Sequence, residues 1–172
     1  MVKVFIDNKE MRGLFTPDWI QTHDKKCIIE GREVEYNKIF HNTGIKDKNG
    51  KEIYEDDILE FVNKACIIKV EDGHTYIVNI EDGEKFLLFP TNNLDKNIYV
   101  EKKGHLYESE DILTHIANAY IKNYYTINCY HNNVEPEEKD IQQFIDKYIN
   151  DVVKWIKDNK NLNEFIFDFC PF

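Results

Sequence analysis

Residues 43–61 read TGIKDKNGKEIYEDDILEF, and this stretch decides the fold. Asn49-Gly50 is a strong signal for a tight turn between antiparallel strands, because both residue types tolerate a positive φ. Apolar side chains follow the turn at Ile53, Tyr54, Ile58 and Phe61. The stretch therefore predicts a hairpin whose second half enters a packed β core.

The same stretch holds acidic residues that could bind a metal ion. An EF-hand calcium loop needs oxygen ligands at positions 1, 3 and 5, glycine at 6 and glutamate at 12. With Gly50 at position 6, Asp47 and Asn49 fall at positions 3 and 5. However, Ile45 then falls at position 1 and Asp56 at position 12. The first ligand is missing and the bidentate glutamate is replaced, so we expect no metal here.

Glu55, Asp56 and Asp57 could alternatively supply a catalytic carboxylate pair. Such a pair needs two carboxylates with different environments in one cleft. Adjacent residues on a strand point to opposite faces, so Asp56 and Asp57 could face one substrate only from a turn. A turn before a strand at 58–61 is the favoured interpretation, and we expect no catalytic residue.

Short strands joined by turns fill the rest of the first hundred residues. Val2, Val4 and Ile6 alternate with other residues as a half-buried strand requires. Residues 27–29 and 33–34 predict two further strands, separated by a turn at 30–32.

A meander is predicted next. The runs 66–70, 75–80 and 86–89 are rich in β-branched and aromatic residues, and Asp-Gly turns at 72–73 and 82–83 separate them. A strand at 97–101 is expected to complete the meander. Such strands must close a small barrel or cover another layer, so we predict a barrel-like β module over residues 1–104.

The pattern becomes helical over residues 105–172. Ser109 followed by two acids is typical of a helix start, and apolar residues recur at helical spacing from Ile112 to Tyr120. Residues 124–128 then look extended, and a second helix is predicted after Pro136. Its apolar stripe consists of Ile141, Phe144, Ile145, Tyr148, Val152, Trp155 and Ile156. The predicted fold class is therefore α+β, a β-rich meander module followed by a two-helix extension.

Two apolar segments could serve either the core or self-association. The 141–156 stripe is wide enough to pack in a core, with a partner groove or a dimer face as the alternative. The tail 165–172 reads FIFDFCPF and would be a liability in water. We expect it to dock as a strand, or else to form a self-association surface, although Pro171 excludes a regular central strand at the very end.

Charge limits the partners. The chain has a formal net charge of −10, with 19 acids and 14 bases in residues 1–100 and 13 acids and 8 bases in residues 101–172, so each part carries −5. Direct nucleic-acid binding requires clustered Lys and Arg and is not expected. A partner protein with a basic groove fits this charge better.

Other motifs are weak. Cys27, Cys66, Cys129 and Cys170 lie too far apart for a zinc ribbon or redox pair, and the six histidines show no metal-ligand spacing. Cys129 and His131 could pair as nucleophile and base, but a loop between helices is the favoured interpretation. No cofactor motif, signal peptide or membrane span is expected, which favours the cytoplasm of a bacterial host cell with free thiols.

The opening stretch resembles the signature of the YopX-like family of phage and prophage proteins, which runs roughly Thr-Gly-Leu-Lys-Asp-Lys-Asn-Gly-Lys-Glu-Ile-Tyr-Glu-Gly-Asp-Ile. The identical positions are Thr43, Gly44, Lys46, Asp47, Lys48, Asn49, Gly50, Lys51, Glu52, Ile53, Tyr54, Glu55, Asp57 and Ile58. Asp56 stands where the family usually has glycine, so the turn there is expected to differ. Residues from about 105 onward look longer and more helical than the family's usual ending. The resemblance implies a small β-rich module encoded by mobile elements. The family motif implies no catalytic activity for the matching residues.

These observations favour a non-enzymatic phage accessory protein. We expect it to inhibit or modulate a host or phage protein that handles nucleic acid or acts in defence, for example a CRISPR-type protein, through an acidic surface that mimics nucleic acid. The candidate contact residues are Glu55, Asp56, Asp57, Glu71, Asp72, Glu81, Asp82, Glu84, Glu137, Glu138 and Asp140. A module that binds or sequesters a nucleotide signal is one alternative, and a self-assembling structural phage protein is another.

Overall fold

The structure of the chain, a computed structural model, describes residues 1–88, 100–158 and 160–167. In these ranges short strands come first and two helices follow. The strands are β1 (Val2–Asp7), β2 (Arg12–Phe15), β3 (Trp19–Gln21), β4 (Lys26–Ile29), β5 (Arg32–Glu35), β6 (Lys38–Lys46), β7 (Glu52–Tyr54), β8 (Asp57–Phe61), β9 (Lys64–Glu71), β10 (His74–Asn79), β11 (Lys85–Leu88) and β12 (Val100–His105). The helices are α1 (Glu110–His131) and α2 (Glu138–Lys157), and Leu162–Glu164 adds one 3-10 turn. The predicted α+β class, with a β-rich module before two helices, is confirmed.

The chain divides into two compact units. Residues 1–78 and 85–108 form the first, here called the β unit, and residues 79–84 and 109–172 form the second, here called the helical unit. The turn at 79–84 therefore belongs with the helices, although it lies between two strands in sequence. The division into 1–104 and 105–172 stays a prediction.

Three sheets make up the described part of the β unit. Their strand orders are β2-β1-β6-β7, β3-β4-β5 and β11-β10-β9-β8-β12. The predicted meander corresponds to β9, β10 and β11. The strand predicted at 97–101 does not complete it, because β12, which begins at Val100, pairs with β8 at the opposite end of this sheet. Phe61 on β8 and Phe86 on β11 lie three strands apart, yet their ring centroids are 5.7 Å from each other. Neighbouring strands lie about 4.8 Å apart, so the sheet must curl like part of a barrel.

The residues that follow the quoted turn anchor the β core, as predicted. Ile53 and Leu59 are fully buried in one apolar cluster with residues of β6, β9, β10 and β12. A second cluster joins Val4 and Ile6 of β1 to Cys27 and Ile29 of β4. The predicted strands at 2–6, 27–29 and 33–34 are confirmed as β1, β4 and β5.

The helical unit corrects one prediction. Residues 124–128 are not extended, because α1 continues without a break to His131, and Cys129 to His131 form its last turn rather than a loop. Leu113, Ala117, Ile121, Tyr125 and Cys129 recur every four residues and are all buried. The β preference of Tyr, Thr and Ile is a weak effect that this packing overrides.

The apolar stripe of α2 and the start of the tail pack inside the helical unit. Ile141, Phe144, Tyr148, Val152 and Ile156 are buried, so this stripe is not exposed as a dimer face. Phe167 packs on Tyr124, with ring centroids 4.3 Å apart, and Phe165 packs edge-on against Trp155 at 5.3 Å. Residues 165–167 form no strand, and residues 168–172 lie outside the described residues, so the docked strand and the tail interface stay predictions there.

No helix of the described ranges is both long enough and apolar enough to span a membrane.

Candidate functional site

The Asn49-Gly50 turn reverses the chain between β6 and β7, as predicted. Gly50 has φ +79°, and Lys46 pairs with Glu52 across the turn. The Oδ1 atom of Asp47 accepts backbone N–H groups of Asn49 and Lys51, each at 2.8 Å. Burial opposes ionisation of Asp47, but these bonds and one from the Lys102 N–H hold its pKa below the usual range. Asp47 thus acts as a turn cap.

Asp56 occupies the turn between β7 and β8 with a left-handed backbone. Its φ is +61°, a conformation that glycine adopts without cost and that aspartate tolerates. Its N–H donates to the Ile68 carbonyl at 2.9 Å, and its own carbonyl accepts the Leu106 N–H at 3.0 Å. The glycine that the family signature has at this position therefore fits the backbone, and here the same conformation carries a carboxylate.

The Asp56 carboxylate is fully buried between two lysines. Its Oδ2 atom lies 2.6 Å from Lys38 Nζ, and Oδ1 is bonded to Lys69 Nζ. Burial alone would raise the pKa of Asp56, but the two ammonium groups outweigh it and lower the pKa. Burial lowers the pKa of Lys69 against the pull of Asp56. The carboxylate is thus held ionised inside the β unit.

Asp57, the first residue of β8, is equally buried but less well paired. Its Oδ2 atom accepts the Tyr54 N–H at 2.7 Å and lies 2.5 Å from Lys102 Nζ on β12. Its Oδ1 atom is buried and has no hydrogen-bond partner among the described residues. Burial therefore prevails over the favourable effect of Lys102 and raises the pKa of Asp57 to about 6.

His105, the residue of β12 opposite Asp57, completes this group. Its Nε2 atom lies 3.2 Å from the Glu55 carbonyl, and its Nδ1 atom accepts the Tyr107 N–H at 3.3 Å. One donating and one accepting nitrogen describe a neutral imidazole. Burial also lowers the pKa of His105 to about 4, in agreement with the neutral form.

Together these groups form what we call the buried charge cluster: Lys38, Asp56, Asp57, Lys69, Lys102 and His105. They come from β6, the β7–β8 turn, β8, β9 and β12. Both carboxylates are fully buried, and each has at least one lysine ammonium group at ion-pair distance. The ion pairs hold these strands together, because burying either charge without its partner would cost free energy.

The burial of Asp56 and Asp57 is incompatible with the contact role predicted for them, because a fully buried carboxylate cannot touch a partner's groove. Three other candidates lie on the β unit. Glu55 is only partly exposed, Glu71 is held by Lys85 Nζ at 2.8 Å, and Asp72 occupies an exposed turn with φ +51°. Their part in binding stays a prediction.

The remaining candidates lie on the helical unit. Glu81, Asp82 and Glu84 are exposed on the 79–84 turn, and Glu137 and Glu138 are exposed at the start of α2, where Asp140 is half-buried. The turn is fixed to the segment after α2. Asn161 Nδ2 donates to the Asp82 carbonyl at 3.1 Å, and the Asn163 N–H donates to the Glu81 carbonyl at 3.0 Å.

Negative charge is concentrated in the helical unit. The residues of this unit include 14 acids and 6 bases, a formal charge of −8, whereas the β unit has 18 acids and 16 bases, a charge of −2. A division of the sequence at residue 100 gives equal charges of −5 because it places the acidic 79–84 turn, which carries −3, with the strands. In the structure this turn belongs to the helical unit, whereas residues 101–108, which join the β unit, have two acids and two bases and change neither charge.

The cluster residues Lys38, Lys69, Lys102 and His105 were not predicted from sequence. They lie 13 to 48 residues from the acid that they face, so no local spacing relates them. Only the pairing of β8 with β12 brings His105 opposite Asp57. Among residues 1–88, 100–158 and 160–167, no three His, Cys, Asp or Glu side chains converge on a possible metal position.

Comparison with known proteins supports the resemblance noted in the quoted stretch. The family model described as YopX protein matches residues 3–114 of the chain. This range covers nearly all of the β unit and only the first residues of α1. No curated protein matches the chain.

Proposed function

Because the chain belongs to the YopX family, we propose that it is a phage or prophage accessory protein that binds and modulates another protein rather than catalysing a reaction. It would act in the cytoplasm of the bacterial host. The buried charge cluster supports the non-enzymatic part of this proposal, because its carboxylates are neutralised by lysines at ion-pair distance.

The observation that carries the proposal is the unequal charge of the two units. A formal charge of −8 on the helical unit creates a negative potential that attracts a basic surface from a distance. Glu81, Glu84 and Glu137 are exposed, and none of them forms an ion pair within the described ranges. Their charge is therefore available to a partner.

The partner that fits is a protein with a basic groove, of the kind that holds a nucleic-acid backbone. Such grooves are lined with Lys and Arg spaced to neutralise phosphates. An acidic surface seated in the groove would exclude the nucleic acid and inhibit the protein. A nucleic-acid-handling enzyme or a defence protein of the host, such as a CRISPR-type effector, belongs to this class. The helical unit lies mostly outside the family match, so the proposed contact would be made by residues beyond the matched range.

A capture-and-competition experiment tests the proposal. The full chain is immobilised, bacterial host lysate is passed over it, and each retained protein is purified and bound to labelled nucleic acid. We expect a retained protein whose nucleic acid is displaced by the free chain, with displacement that weakens as salt is raised.

A matched control separates the effect of these particular acids from the effect of the net charge of the chain. Reversal of Glu81, Glu84 and Glu137 to Lys should abolish displacement, whereas reversal of Glu10, Glu30 and Glu35, which are exposed on the β unit, changes the net charge equally and should not. If no retained protein binds nucleic acid, or if both triple variants displace it equally well, the proposal is wrong.

A further inference from the structure

The two helices differ in the side that they turn to solvent. The exposed positions of α2 alternate charges of both signs, at Glu138, Lys139, Asp146, Lys147, Asp151 and Lys154. From Ile112 to Val134, in contrast, the chain has no acid at all, and with neutral histidines its one charge is Lys122. Lys122 lies 3.6 Å from Glu138 of α2 and is thus neutralised within the unit. The solvent side of α1 is uncharged inside a strongly acidic unit.

This side of α1 carries a second, uncharged stripe that is apolar except for Asn123, here called the outer stripe. Its members recur every three or four residues and are Ile112, Ile116, Ala119, Asn123, Ile127 and Tyr130. Tyr130 is 64% exposed and Ile127 is 45% exposed, although both are large hydrophobic side chains. The opposite stripe of α1 is already buried. A helix that is apolar on both sides is typical of one packed on both sides.

The outer stripe is nearly symmetric about its midpoint at residue 121, except that Ile116 and Ile127 lie five and six residues from it. Ile112 and Tyr130 lie nine residues to either side of it, and Ala119 and Asn123 lie two to either side. The ends of the stripe are therefore large and its centre is small. Two such helices crossing antiparallel would bring Ile112 of each copy to Tyr130 of the other and Ala119 to Asn123, so that each contact occurs twice, as in a two-fold interface.

We infer that the outer stripe of α1 is a homodimer interface, occupied by α1 of a second copy of this chain. Charge favours this occupant. The helical units of two copies each carry −8 and would repel each other if acidic surfaces met. The outer stripe has no acids, so the two copies can associate there without this repulsion. A basic partner would gain nothing from that face. Depletion of charged residues and enrichment in tyrosine are also typical of protein interfaces. This inference is independent of the proposed function.

Light scattering coupled to size exclusion tests the inference on the full chain. At tens of micromolar we expect twice the chain mass of 20.6 kDa. Ala119→Glu places one acid from each copy near the two-fold axis and should weaken the dimer by at least about tenfold. Glutamate is a good helix former, so the helix content should be retained. Gln143→Glu, at an exposed position of α2, adds the same charge and should leave the dimer intact.

Cysteine cross-linking tests the antiparallel arrangement. Ala119 of one copy should lie opposite Asn123 of the other, so a mixture of Ala119→Cys and Asn123→Cys chains should form a disulfide-linked dimer faster than either variant alone. A monomer at tens of micromolar, or a dimer insensitive to Ala119→Glu, would overturn the interface. Preferential cross-linking of each variant with itself would overturn the antiparallel arrangement.

Discussion

In the β unit the two fully buried acids lie beside lysines, whereas in the helical unit acids outnumber bases by 14 to 6 and many of them face solvent. The same residue types thus have different consequences. Asp56 and Asp57 hold strands together through ion pairs, and the paired lysines cancel most of their electrostatic potential. Glu81 and Glu137 contribute to a negative potential that extends into solvent. The difference shows that the burial and the partners of an acidic side chain, rather than its residue type, decide which function can be assigned to it.

The largest effect is expected from removal of the Asp56 carboxylate. Asp56→Gly suits the left-handed backbone and removes only the ion pairs, so it leaves Lys38 and Lys69 without their carboxylate. We expect the free energy of unfolding in urea to fall by about 3–5 kcal/mol. Glu71→Ala, which breaks the exposed pair with Lys85, should cost at most about 1 kcal/mol. Equal effects of the two variants would contradict a structural role of the cluster.

The pH dependence of stability should separate Asp57 from His105. The folded-state pKa of Asp57, about 6, lies above its ordinary value, so its contribution to stability grows as pH falls from 6 towards 4. The folded-state pKa of His105, about 4, lies below its ordinary value, so its contribution is lost as pH falls from 6.5 towards 4. The two effects, each up to about 3 kcal/mol, oppose each other in one pH window.

Single substitutions at the two positions should therefore change the pH dependence of the free energy of unfolding in opposite directions. His105→Gln should make the protein gain stability on acidification between pH 6.5 and 4, and Asp57→Asn should make it lose stability more steeply than the unmodified chain does. Urea unfolding at half-unit pH steps measures both. Parallel curves for the three proteins would contradict the assignment.

A smaller effect is expected at the turn that displays acids on the helical unit. Gly83 has φ +72°, and a Cβ atom there would lie 2.9 Å from the Asn161 side chain, which is held by hydrogen bonds to Asp82 and Asn163. Gly73 has φ +78° and no atom within 4 Å of its Cβ position. Both Gly→Ala variants incur about 1 kcal/mol of backbone strain, and Gly83→Ala should cost about 1 kcal/mol more because of the clash. Thermal unfolding of the two variants side by side measures the difference, and equal losses would show that Asn161 does not fix this turn.

Local signals in the sequence predicted the parts of the fold that short-range physics determines. Asn49-Gly50 and Asp72-Gly73 specify turns because their residues adopt positive φ readily, and the structure has both turns. Residues 124–128 were predicted wrongly because buried contacts along α1 outweigh β preference. The buried charge cluster could not be predicted, because Lys102 and Asp57 lie 45 residues apart in sequence. They come together only because β12 pairs with β8.

The charges of Asp56 and Asp57 are part of the β core, and we propose that the exposed acids of the helical unit bind a partner. The most direct measurement is the dissociation constant of a captured partner for the Glu81, Glu84 and Glu137 to Lys variant and for the matched Glu10, Glu30 and Glu35 to Lys variant. We expect at least about a hundredfold weaker binding for the helical-unit variant and less than about threefold weaker binding for the β-unit variant. Equal weakening by both variants would contradict it.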